Sequence, residues 1–271
     1  MEERHTRFLN FFLMIGLIIA TIYSKGKPYN ASLLGATVGT AISLILATGG
    51  WALSHRSNIR TIVNAIFICN LRISCSYLYR IKVDNHYLLI KSRKHGKYQP
   101  VGGNFKRNKF SHDTLQKLEV RDDDKFTNGH RSADDLRLYI RGYRLTQFLK
   151  WYNSPNKKRE VSYDREFYEE LVEPGHFSSE LFKYPIFNFI KQVITPVRYS
   201  TYLKCYEVHT YDIVELNPSH DQLTFLKELK QRGDCNEFKW ATSNMIQTQG
   251  YQLHTQDTPY EITDHSIEIL S

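Results

Sequence analysis

Two stretches near the start of the chain, residues 8–23 and 31–53, are almost wholly apolar and carry no charge, whereas polar and apolar positions are mixed throughout the rest. A membrane-crossing helix needs about 20 apolar residues at about 1.5 Å each. The second stretch meets that length; the first reaches it with Thr6 and Arg7 at the interface. The pair predicts an N-terminal two-helix transmembrane hairpin, spans about 8–23 and 31–53, within residues 1–55. A signal peptide is the alternative for the first stretch, because Arg4 and Arg7 form a basic lead. No small-x-small cleavage site leads from it into a folded domain, and a second apolar run begins almost at once.

Beyond the hairpin the pattern changes period. Ile59, Ile62, Val63, Ile66 and Phe67 recur at helical spacing, which predicts a juxtamembrane connector helix within 56–70. Residues 71–82 and 87–92 are β-branched and aromatic runs that read as strands, joined as a hairpin through residues 83–86. A short edge segment, 98–104, ends in Gly102-Gly103. Residues 136–143 alternate like a strand and 145–152 read as a short helix. Further strands are expected within 193–216 and at 238–240, with a helix at 221–231 and a final helical segment. This succession suits an α/β/α sandwich around a mixed sheet, occupying 71–271.

Composition adds a direction and a partner class. Arg4, Arg7, Arg56 and Arg60 flank the hairpin and outnumber Lys25 and Lys27 in its loop, so both termini and the domain are expected on the cytoplasmic side. Formal net charge is +8, with 24% charged residues and a mean hydropathy of −0.45 despite the apolar runs. Such an excess favours anionic lipid surfaces or phosphate-bearing ligands, and equally describes a solvated basic surface. Roughly 200 residues after the hairpin suffice for one sizeable core. The four cysteines have no Cys-x-x-Cys spacing, which argues against zinc and agrees with a reducing compartment. The second span repeats small residues at Gly35, Gly39, Ser43 and Ala47, a flat stripe for helix packing within the hairpin or between chains.

Chemistry concentrates in Arg165-Glu166-Phe167-Tyr168-Glu169-Glu170-Leu171. On a helix, residues three and four apart are neighbours, so Glu166, Glu169 and Glu170 share one ridge while Phe167 and Leu171 turn inward. Arg165 lies one turn from Glu169 and is placed to orient it. Three hard carboxylates suit Mg²⁺ or Mn²⁺. An exposed amphipathic helix has the same pattern. Near the glycine bend, Arg93, Lys97, Tyr98, Lys106 and Arg107 are candidate phosphate and base contacts. The acidic run Asp122-Asp123-Asp124 reads as a solvated turn, with an accessory metal site as the alternative.

The order strand, hairpin, Pro-x-Gly-Gly, then Arg-Glu-apolar-x-Glu-Glu helix resembles the Nudix family, whose signature couples a glycine bend to such a helix. The resemblance implies a Nudix-like α/β/α sandwich. Here the two parts are separated by an insertion at about 105–161. Lys109 stands where the family has a further Glu, and Val172 and Glu173 stand where it has Gly and an apolar residue. Behind two membrane spans, the domain resembles the membrane-anchored Nudix proteins of bacterial CBASS anti-phage systems. That resemblance implies a two-pass protein of the bacterial inner membrane that binds a cyclic di- or oligonucleotide from a cognate nucleotidyltransferase. It then oligomerises with its own kind and disrupts the membrane, which ends in abortive infection; no DNA partner is expected. The alternative is a membrane-tethered, Mg²⁺-dependent Nudix hydrolase acting on a nucleoside diphosphate derivative, with Glu166, Glu169, Glu170 and Arg165 as its catalytic set and Glu237 a candidate base.

Overall fold

The computed structural model describes residues 15–23, 25–26, 32–33, 35–40, 56–93, 95–123, 134–154, 159–252 and 254–270. The chain forms two compact units, Met1–Arg60 and Thr61–Ser271. In the first, residues 15–23 and 35–40 are helical. Thr21 and Thr37 join these helices through their hydroxyls at 2.9 Å, and each hydroxyl also shares a bond with its own helix backbone. Among the described residues no helix is long and apolar enough to cross a membrane. The remaining positions of the two expected spans, with Ser43 and Ala47, lie outside the described residues.

The second unit is a mixed α/β fold. Its long strands β1 (Leu71–Arg80) and β10 (Cys205–Leu216) pair in parallel at the centre of a seven-stranded mixed sheet. Around them pair, all antiparallel, β5 (Gly102–Asn104), β6 (Arg121–Asp122), β7 (Arg137–Ile140), β8 (Phe187–Ile194) and β9 (Arg198–Ser200). A smaller antiparallel sheet was not expected from sequence. It contains β2 (Lys82–Val83), β3 (His86–Lys91), β4 (Tyr98–Pro100) and β11 (Phe238–Thr242).

Every residue of β1 is buried, which explains its unusual composition. Its odd positions, Leu71 through Tyr79, enter the main core, while Leu78 joins a second core with Tyr211, Ile213, Leu89 and Ile246. Arg72 and Arg80 are tolerated on the second face because Glu207 and Glu215 stand opposite them in register, at 3.2 and 3.0 Å. A buried charge is tolerated only when it is paired.

Helices α1 (Arg56–Ala65), α2 (His112–Lys117), α3 (Leu145–Tyr152), α4 (Asp164–Phe167), α5 (His220–Arg232) and α6 (Ser243–Gln247) complete the fold. Ser219 and Gln222 form a reciprocal capping box at the start of α5. Several sequence expectations change here. The hairpin turn is only Asp84-Asn85, with Val83 and His86 already paired, and its first arm is the two-residue β2 while β1 belongs to the other sheet. Segment 98–104 is divided between the two sheets: among the strands β4 pairs with β3 alone and β5 with β1 alone, so the chain changes sheets at the buried Val101. The described part of the insertion is folded, since β7 joins the main sheet beside β1 and α3 buries Phe148 and Tyr152. Asp123 is not in a solvated turn; it is buried and paired with Arg72 at 2.6 Å. Asp124 lies outside the described residues.

Candidate glutamate and ligand site

The segment expected as one helix begins as α4 and widens into a π-helix at Tyr168–Val172, where the Glu173 N–H donates to the Tyr168 carbonyl at 2.8 Å. Its apolar side is fixed by aromatic packing. Phe167 is fully buried, with ring centroids 5.4 to 5.8 Å from Tyr79, Phe177, Phe182 and Phe187. The Tyr79 hydroxyl enters the first turn, donating to the Tyr163 carbonyl and accepting from the Phe167 N–H at 3.0 Å. Insertion of a side chain into the helix ladder, followed by a π segment, re-aims the side chains beyond it. The helix ends at Val172, where the family pattern has its glycine, and the turn that follows carries Gly175 (φ +82°).

The polar side faces the glycine bend, as the family resemblance implied across the long insertion. The Gly102 N–H donates to Glu170 Oε2 at 3.2 Å. A Cβ at Gly103 would fall inside the Glu166 carboxylate, and one at Gly102 would meet the Tyr77 carbonyl. Close backbone approach requires glycine at Gly102, whereas a side chain at Gly103 would displace the Glu166 carboxylate. Arg165 organises the rest. It pairs with Glu166, with Glu160 at 3.1 Å and with Glu169 at 3.7 Å, and donates to the Asn104 carbonyl at 2.7 Å.

Glu160 is the site residue that sequence reading missed. Its Oε2 also accepts the Lys106 N–H at 2.9 Å, so it ties the insertion to the glutamate helix. It lies in an extended segment five positions before Arg165, where no helical spacing points to it.

Electrostatics follows from burial. Burial, then the neighbouring Glu166 charge, pushes Glu170 up to about 8, opposed by the Gly102 N–H and the positive charge of Arg93. Burial also raises Glu166, against the pull of Arg165. Burial works against the charge of Arg165, but Glu160 and its other acidic neighbours raise its pKa on balance.

The other candidate contacts do not converge. Arg93 is exposed and acts on Glu170 through its charge. Lys97 is paired with Glu261 at 2.7 Å, and Tyr98 is buried with its hydroxyl on the Asn236 carbonyl; both line a cleft of about 760 Å³ with Lys239 and Tyr260. Lys106 pairs with Asp135 at 3.1 Å. Arg107 pairs with Asp122 at 2.6 Å and Asp134 at 3.0 Å, lining a different cleft of about 680 Å³. Glu237 is exposed beside Cys235, and no described hydrogen bond or ion pair joins it to the helix glutamates.

Carboxylate oxygens are the right donors for Mg²⁺ or Mn²⁺. Their arrangement is not that of a ligand set: Arg165 takes oxygens of Glu166 and Glu169, and Glu170 turns to Gly102. Among the described residues no three His, Cys, Asp or Glu side chains are grouped to hold a metal ion. As folded here, the residues do not fit the ion.

Residues 70–270 match the family model of the SMODS-associated NUDIX domain. No curated protein and no solved structure matches the chain.

Proposed function

The chain belongs to the SMODS-associated NUDIX domain family, and from that premise we propose that it is the membrane-anchored effector of a cyclic nucleotide-based (CBASS) anti-phage system. In this reading the Nudix-like domain binds a cyclic di- or oligonucleotide made by a cognate nucleotidyltransferase. Binding drives oligomerisation and disruption of the bacterial inner membrane, with the domain on its cytoplasmic side. The observation that carries the reading is the locking of the glutamate helix: Arg165 bridges Glu160, Glu166 and Glu169. Such a helix serves as a rigid wall of a binding site. A ligand can drive assembly only if the bound form associates better than the free one. The small-residue stripe that includes Gly35 and Gly39 is the candidate contact between chains.

The hydrolase reading is kept for one observation. Glu170, pushed up to about 8, is poised to exchange a proton near neutral pH, as acid-base catalysts are.

Native mass spectrometry of the full chain from detergent, with Mg²⁺ and a panel of cyclic di- and trinucleotides, separates the two. An intact nucleotide on a multimer is the result expected of an effector, and Gly39→Leu should then reduce assembly without reducing binding. Cleaved product from an unassembled chain would replace the effector with the hydrolase.

A further inference from the structure

At the C-terminal end of α1, a groove of about 870 Å³ is lined by Val63 and Phe67 on one side and by Tyr199, Lys204 and Tyr206 on the other. Its apolar side chains are uncovered. Phe67 is 90% exposed; outside the lining, Tyr202, in the turn between β9 and β10 just before Lys204, is 85% exposed. Tyr199 and Tyr206 meet edge to face at 5.3 Å. The platform is stiff: Tyr206 stands beside Leu71 in the parallel pair at the centre of the main sheet. An open cluster of large apolar side chains on a rigid support marks a contact surface.

Three observations identify what meets it. The long apolar run of the sequence ends at residue 53. Val63 follows that end by only ten positions in the chain. The side chains are those of a membrane interface, where tyrosine and other amphipathic aromatics sit at headgroup level. The exposed charges beside them, Lys204 and the half-exposed Arg198, are cationic, and the acid that Arg198 meets, Glu207, is buried. Cations at this position attract anionic headgroups.

We propose that this face seats on an anionic bilayer surface, with Phe67 and Tyr202 entering the interface and Lys204 meeting lipid phosphates. The inference rests on the membrane reading above and adds an orientation to it. The domain is held with one end of its central sheet on the lipid, so that movement of that sheet is felt at the headgroups.

The native thiol of Cys69 lines the groove and is exposed, whereas Cys75 and Cys205 are buried. In the full chain carrying Cys235→Ser, Cys69 is labelled with an environment-sensitive fluorophore and the protein is reconstituted into phosphatidylcholine vesicles with or without phosphatidylglycerol. Quenching by spin-labelled lipid is expected in the anionic vesicles. It should fall by more than half in a Phe67→Ser/Tyr202→Ser variant that still floats with the vesicles. Both changes are at exposed positions, so unchanged circular dichroism checks the fold. A floating protein whose label is never quenched would overturn the inference and leave the anchor intact. Energy transfer between labelled chains without lipid quenching would assign the face to a second copy and overturn it equally. A chain that does not float with vesicles would overturn the membrane reading, and this inference with it.

Discussion

The Tyr79 hydroxyl stands 3.0 Å from the Phe167 nitrogen and accepts its N–H, in the place where the helix's own Tyr163 carbonyl would otherwise accept it. A side chain from the central strand thereby sets where the glutamate helix begins and how its next turn is wound.

Tyr79→Phe removes that bridge and leaves a buried donor and acceptor without it. The expected loss is about 1–3 kcal/mol, read as a lower denaturant midpoint by tryptophan fluorescence. Direct closure of the Phe167–Tyr163 bond would restore an ordinary first turn. Nucleotide binding should then change more than the loss of stability explains.

Gly103→Ala tests the contact between the glycine bend and the helix. The added methyl occupies the place of the Glu166 carboxylate, so Glu166 must leave Arg165 or the bend must shift. Overpacking of this kind costs about 1–3 kcal/mol. Weakened ligand retention in native mass spectrometry is expected beside the lower midpoint; an unchanged protein would show that the two are not pressed together.

Glu170 gives stability a slope with pH. Its folded pKa of about 8 lies above the ordinary 4.5, so between those values the folded chain holds a proton that the unfolded chain has released. Stability contributed by this group therefore falls as pH rises from about 4.5 to 8. Glu170→Gln keeps an acceptor for the Gly102 N–H and should flatten the slope. Thermal midpoints across that range, for both proteins, measure it.

Arg72 is buried between Asp123 at 2.6 Å and Glu207 at 3.2 Å. Arg72→Met leaves two carboxylates buried without it, for an expected loss of about 3–5 kcal/mol. The same cluster sets an acid limit. Burial alone would raise Glu207, but His209 Nε2 at 3.2 Å from its carboxylate and the charges of Arg198 and Arg72 hold it at about 2. Its folded pKa is depressed, so the stability it contributes is present above about 4.5 and is lost as pH falls towards 2. An acid titration by circular dichroism should show a smaller loss over that window in Arg72→Met.

The sequence by itself determined the elements whose signals are local. Strand residues 71–80 were legible from their β-branched and aromatic run, and residues 145–152 and 221–231 from helical spacing. The Arg-Glu helix and the glycine pair were legible as motifs, because each is a pattern of a few neighbouring residues. Tertiary structure alone decided what depends on distant partners. Strands of two residues such as β2 and β6 exist only because a longer strand pairs with them. The sheet change at Val101 is set by β1 and β3, not by residues 98–104. Asp123 reads as a solvated acid until Arg72 is brought to it, and Glu160 has no pattern until Arg165 folds back over it. The π segment likewise follows Tyr79, nearly ninety positions earlier in the chain. Periodicity and capping act through neighbours, whereas a buried charge or an inserted hydroxyl is stabilised by a partner that only the fold supplies.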